Sequence, residues 1–168
     1  YEDSGLLQFV IHTIAQFNAE DCSSPPQVHS LQYIYDESQR LQRIETDTNG
    51  DGVSDQLYQY RYHPSGLLWE EGWDINDDGI ADQDRYRYHY DSSGRRISLR
   101  YDQDGDGGLE QEELWTYHDG EIVATWEIYL PYSYQRYQYG EDGVLFSYER
   151  DNDRDGEIDL LTTFVYTY

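Results

Sequence analysis

Residues 56–82, QLYQYRYHPSGLLWEEGWDINDDGIAD, carry three signals in succession. Tyr58, Tyr60 and Tyr62 stand at every second position. Pro64-Ser65-Gly66 then breaks the run, and Leu67, Trp69 and Trp73 return on one face. Alternation with period two around a Gly/Pro turn is the sequence mark of a β-hairpin. The stretch closes on a tight acidic segment, Asp74 to Asp82.

The same design recurs on both sides. Leu31, Tyr33 and Tyr35 precede a turn at Asp36–Gln39 and Leu41. Tyr86, Tyr88 and Tyr90 lead through Asp91-Ser92-Ser93-Gly94 to Ile97, Leu99 and Tyr101. Trp115 and Tyr117 turn at Asp119-Gly120 into Ile122, Ala124, Trp126 and Ile128. Tyr137 and Tyr139 turn at Gly140–Gly143 into Val144, Phe146 and Tyr148, and Leu160–Tyr168 forms a last strand. The expected fold class is all-β: an antiparallel meander of repeated hairpins, about eleven strands long. One face is aromatic. The other carries Gln59, Arg61, Arg85, Arg87 and Gln138 and is expected to be solvated.

Four acidic segments share one spelling: Asp47–Asp55, Asp74–Asp82, Asp102–Glu110 and Asp151–Asp159. Their starts are 27, 28 and 49 residues apart. A fixed period of this size marks a repeat architecture. A fifth loop falls due near residue 130, where Leu130-Pro131-Tyr132-Ser133 is read as the same junction with a short turn in its place. Asp stands at position 1 (Asp47, Asp74, Asp102, Asp151) and Asn or Asp at position 3 (Asn49, Asn76, Asp104, Asp153). Asp recurs at position 5 (Asp51, Asp78, Asp106, Asp155), Gly follows at 6, and an acid closes position 9 (Asp55, Asp82, Glu110, Asp159). Side-chain oxygens at 1, 3 and 5 can converge on one point, and the position 7 carbonyls of Val53, Ile80, Gly108 and Glu157 add a ligand. A hard cation that accepts six to eight oxygens at flexible angles suits such a loop, so about four Ca2+ sites are expected. Turn propensity alone explains Asp and Gly, but not carboxylates at 3 and 5 repeated in phase.

The loops resemble those of the EF-hand family, and more closely the helix-free loops of dockerins and thrombospondin type 3 repeats. Position 12, where that family supplies a bidentate Glu, is matched by Glu113 alone; Tyr58, Arg85 and Thr162 stand there in the other loops. The resemblance thus implies a fuller shell for the third loop and weaker sites elsewhere. With millimolar calcium and a dissociation constant of ~0.1 mM, each site contributes about 1.4 kcal/mol. Four give about 6 kcal/mol, comparable to the stability of a whole domain. Submicromolar calcium would leave such sites empty, so an extracellular or cell-surface location is expected. Tyr33-Ile34-Tyr35-Asp36 and Tyr88-His89-Tyr90-Asp91-Ser92-Ser93-Gly94-Arg95 are similar to the tyrosine–aspartate (YD, or RHS-type) repeats of bacterial surface and secreted proteins. That resemblance spans residues 28–168 and implies an extracellular β-sheet scaffold without a catalytic site.

The net charge of −24, from 35 acidic and 11 basic residues, excludes nucleic acid and anionic membranes as natural partners. Four Phe, four Trp and 19 Tyr among 168 residues exclude acidic disorder. No apolar run approaches the roughly 20 residues of a membrane span. No basic segment precedes the first apolar stretch, so any signal peptide is expected to have been removed. Cys22, the one cysteine, permits no internal disulfide; an incidental thiol is favoured over pairing with another chain.

Residues 1–27 form a separate apolar segment and linker, ahead of a repeat domain over 28–168. Leu6, Leu7, Val10, Ile11, Ile14 and Phe17 fall at helical spacing with Asp3 or Ser4 as cap, which predicts a short N-terminal helix. The β-branched run Phe9–Ile14 supports a strand instead. The five histidines lack metal-protease spacing, and the loop acids have a use already, so no enzyme is expected. The leading expectation is a structural subunit of a fibre, sheath or surface layer, self-associating through Leu6–Phe17 or Leu160–Tyr168. The alternative is a calcium-dependent module that binds surface polysaccharide through Trp69, Trp73, Trp115 and Trp126.

Overall fold

A computed structural model describes residues 8–16 and 27–166, with side chains from residue 30 onward. The chain divides into two compact units, Tyr1–Asp84 and Arg85–Tyr168. The first contains β1 (Gln8–Gln16), β2 (Gln27–Tyr35), β3 (Leu41–Asp47), β4 (Gln56–Tyr62) and β5 (Leu68–Asp74). Most of β6 (Gln83–Tyr90) lies in the second, with β7 (Arg96–Asp102), β8 (Gln111–Tyr117), β9 (Val123–Leu130), β10 (Ser133–Tyr139), β11 (Leu145–Asp151) and β12 (Leu160–Thr163). Within each unit every strand pairs antiparallel with its chain neighbours, giving the all-β meander. No helix occurs among the described residues, and so none there is long and apolar enough to cross a membrane.

The N-terminal helix is corrected. Val10, Ile11 and Ile14 lie in β1, which pairs with β2 from Gln8↔Ile34 to Gln16↔Gln27. Val, Ile and Thr at positions 10, 11, 13 and 14 are stiff at χ1 and fit a pleated strand better than a helix. A bulge between Val10 and Thr13 absorbs the imperfect alternation. Leu6, Leu7, Phe17, Cys22 and the expected caps lie outside the described residues, as does most of the linker.

Successive connections alternate between opposite ends of the strands. In each unit the acidic loops therefore share one edge and the tight turns the other. The junction between β9 and β10 is the short turn expected there, two residues long. At the turn edge, the Asp36 carboxylate accepts from the Ser38 and Arg40 amides at 2.9 and 3.0 Å and from Arg40 Nε at 2.7 Å. The Arg40 guanidinium lies 4.6 Å over the Tyr62 ring, and Tyr62 Oη donates to the Leu41 carbonyl at 2.8 Å. Asp91, Arg95 and Tyr117 repeat this, with bonds of 2.8, 3.0 and 2.7 Å and a guanidinium 4.7 Å over the ring. Each clasp ties a turn to the next hairpin.

A dry core is nearly absent. Among the described residues only Ile34 and Ala81 are buried apolar side chains. The sheet is held instead by backbone pairing and by ladders across its faces. On one face Trp115, Trp126, Tyr137 and Tyr148 stack in register, with centroids 6.4, 5.0 and 4.8 Å apart. The other face is not the solvated one expected: Gln59, Glu70, Ser98 and Ser147 are buried there. Long arginine side chains lie across it and pair with neighbouring strands, as in Arg61–Glu70 at 3.0 Å and Arg100–Glu112 at 2.8 Å. All eleven basic residues are arginine, whose planar fork suits such pairing.

Candidate metal centres

Each acidic loop leaves the end of one strand and enters the next, so its first Asp is anchored in the sheet. Asp47, Asp74, Asp102 and Asp151 are accordingly only 5, 2, 2 and 4 % exposed. Their carboxylates turn back under the loop and accept its amides. Asp47 takes Gly50 at 2.6 Å and Gly52 at 2.9 Å; Asp74 takes Asp78 at 3.2 Å and Gly79 at 2.8 Å. Asp151 takes Arg154 at 2.6 Å and Gly156 at 3.1 Å, and Asp102 takes Gly105 at 2.8 Å.

The backbone is the same in all four. Position 6 is left-handed at Gly52, Gly79, Gly107 and Gly156 (φ 87, 83, 92 and 92°). Position 4 is left-handed as well, even where it is Asp77 (φ 57°) or Arg154 (φ 58°). Non-glycine residues adopt that conformation at a cost, so surrounding bonds impose it. The expectation that turn formation does not account for positions 3 and 5 is corrected: each closes a small side-chain turn. Asn49, Asn76, Asp104 and Asp153 accept the amide two residues on, at 2.9, 2.9, 3.3 and 3.4 Å. Asp51, Asp78, Asp106 and Asp155 do the same at 2.8, 2.9, 2.6 and 2.8 Å.

Position 9 seals the loop. Asp55 accepts from the Thr48 amide at 2.7 Å and its hydroxyl at 2.6 Å, Asp82 from Ile75 at 2.9 Å, Glu110 from Gln103 at 2.6 Å and Asp159 from Asn152 at 2.6 Å. The backbone amides of Asp55, Asp82 and Glu110 also bond the preceding strand, at Thr46, Trp73 and Tyr101 (2.8, 2.7 and 3.0 Å). The Thr48 hydroxyl, then the loop amides, hold the Asp55 carboxyl below the usual carboxylate range. Burial pushes the Asp151 carboxyl up, but the amides of Gly156, Arg154, Asp153 and Asp155 together bring it below that range.

Carboxylate oxygens of Asp102, Asp104 and Asp106 lie within 4.8 Å of one another, as do those of Asp151, Asp153 and Asp159. Calcium–oxygen bonds of about 2.4 Å place opposite ligands about 4.8 Å apart, so these spacings fit one such ion. The first two loops have Asn49 and Asn76 at position 3 and three carboxylates in place of four, and among the described residues their carboxylates do not converge in this way. Val53, Ile80, Gly108 and Glu157 stand at position 7, and the Val53 and Ile80 side chains are exposed.

Glu113 behaves differently from the rest. It lies on β8, where one carboxylate oxygen accepts Trp126 Nε1 at 2.8 Å and the other accepts the Gln111 amide. Two further contacts escaped the sequence reading. Gln59 Nε2 donates to Asp74 at 3.1 Å, and the Arg85 guanidinium pairs with Asp102. Folding the hairpin about Asp91–Arg95 brings Arg85 opposite Asp102, so that register was the available signal.

No family model matches the chain, and no curated protein matches it. Among solved structures it is similar to a chain in the crystal structure of TcdB2-TccC3-TEV, at 16% identity and a TM-score of 0.47. The alignment covers 90% of this chain and 10% of that one, so the chain spans about a tenth of that protein's length.

Proposed function

We propose that the chain is a calcium-braced β-sheet scaffold that works outside the cytoplasm, as structural material and not as an enzyme. One observation carries this reading. Four loops of different sequence share left-handed positions 4 and 6, side-chain turns at positions 3 and 5, and a buried carboxylate at the head of each. An ion held there ties the end of one strand to the start of the next. The resemblance of the hairpins to the YD repeats of bacterial surface and secreted proteins supports an extracellular setting.

A platform for polysaccharide is the weaker reading, because the tryptophan faces are covered. Trp115 stacks on Trp126 and carries the Arg96 guanidinium 4.3 Å from its ring, while Trp69 carries Arg61 at 4.8 Å. Trp126 lies between Trp115 and Tyr137. Assembly of copies into a fibre or layer is supported by β12, where Leu161 and, beyond the strand, Val165 are exposed. Equilibrium dialysis against radioactive calcium tests the reading. About four ions bound per chain at millimolar calcium are expected; none bound would end it.

A further inference from the structure

The third loop has four carboxylates, Asp102, Asp104, Asp106 and Glu110, and the fitting position 12 residue, Glu113. By ligand count it ranks with the fourth loop and above the first two. The contacts around it argue otherwise. In the first, second and fourth loops one oxygen of the position 1 Asp accepts the position 6 glycine amide, at 2.9, 2.8 and 3.1 Å. In the third loop the corresponding oxygen of Asp102 accepts the Arg85 guanidinium. Arg85 is 12 % exposed at its side chain and Asp102 2 %, so water screens the pair poorly. Among the described residues no other candidate ligand carries an arginine ion pair. Arg154, inside the fourth loop, turns away to the Leu130 carbonyl at 3.1 Å. Glu113 is engaged by Trp126.

We propose that Arg85 is an affinity-setting residue that makes the third loop the last of the four to fill with calcium and the first to empty. This rests on the calcium reading above. A guanidinium fixed on a ligand carboxylate offsets one of the site's negative charges and repels the incoming dication. The fourth loop, with four carboxylates and no such cation, fills first. The junction of β7 and β8 thereby becomes a joint that slackens while the other three stay braced.

The full chain labelled with 15N-glycine tests this, since Gly52, Gly79, Gly107 and Gly156 report one loop each. In a calcium titration followed by NMR, the Gly107 amide is expected to reach its midpoint at the highest calcium. Arg85→Gln should lower that midpoint by roughly tenfold, the scale of a unit charge beside a divalent ion even under water-like screening. Arg85→Lys, which keeps the charge, should leave it near the wild-type value and controls for loss of packing. A Gly107 midpoint at or below that of Gly156, or one unmoved by Arg85→Gln while the other glycines titrate, overturns the proposal and leaves the calcium reading intact. Four unresponsive amides at 10 mM calcium overturn both.

Discussion

The two edges of the meander are fastened by different chemistry. At the loop edge, clustered carboxylates head each loop and accept its amides, and on the calcium reading proposed above a cation sits between them. At the turn edge, Asp36–Arg40–Tyr62 and Asp91–Arg95–Tyr117 supply their own countercharge and close without any ion. Arg95 adds a bond to the Gly120 carbonyl, and His118 Nε2 meets the Tyr139 carbonyl at 2.8 Å. A further clasp is reduced: Tyr166 donates to Leu145 at 2.8 Å, but Gly140 and Val144 replace the acid and the arginine. On the proposed reading, one edge answers to the calcium around the protein, and the other closes without it.

Chelation should separate the edges most widely. Removing about 6 kcal/mol of binding energy lowers the melting temperature by roughly 12–24 °C. Hydrogen exchange in excess chelator should show the amides of Gly52, Gly79 and Gly156 losing protection while those of Asp36, Asp91 and Gly94 keep theirs. Equal loss at both edges, or an unchanged melt, breaks the comparison.

A single residue sharpens it next. Asp74→Ala strands the Gln59 side chain and the Gly79 amide and is expected to destabilise by about 2–3 kcal/mol with or without calcium. Asp74→Asn retains an acceptor. In chelator it should melt close to wild type, and in millimolar calcium about 1 kcal/mol below it, the contribution of one lost ion. An Asn variant equally impaired in both buffers would show that the carboxylate serves the loop amides alone.

The smallest effect belongs to the turn edge. Hydrogen bonds from Arg40, with burial opposing, hold the Asp36 carboxyl low. At Asp91 burial pushes up, and the Arg95 and Ser93 bonds outweigh it. Both acids therefore ionise at lower pH in the fold than in the unfolded chain. Their stabilisation is present above the unfolded carboxylate value of about 3.9 and fades as pH falls through the lower folded values. Arg95→Met should melt below wild type at pH 5 in calcium-free buffer, and the gap should narrow toward pH 2. A gap independent of pH would assign Arg95 to packing on Tyr117 alone.

Hairpins and loops were legible because each depends on short-range spelling. Alternating tyrosines fix a face, and Asp, Asn and Gly at set intervals fix a turn. The first strand was harder, since Val10, Ile11 and Ile14 satisfy helical spacing and strand composition together, and pairing with β2 decided between them. The burial of the polar face was not legible either. It depends on how far Arg61, Arg85 and Arg100 reach across neighbouring strands, which one-dimensional patterning treats as exposure to water. The crowding at Gly72 is of the same kind. A β-carbon there would meet the Gln83 carbonyl at 2.8 Å and the Ala81 methyl at 2.9 Å, a closeness set by the return of the second loop.

The shortage of buried apolar side chains reaches into thermodynamics. Heat-capacity change on unfolding follows newly hydrated apolar surface, and among the described residues only Ile34 and Ala81 are buried apolar side chains. The sheet's free energy of unfolding should vary with temperature along a shallow arc, without the deep summer-and-winter decline of a protein folded around oil. Such a sheet should also come apart hairpin by hairpin, frayed locally long before it is lost.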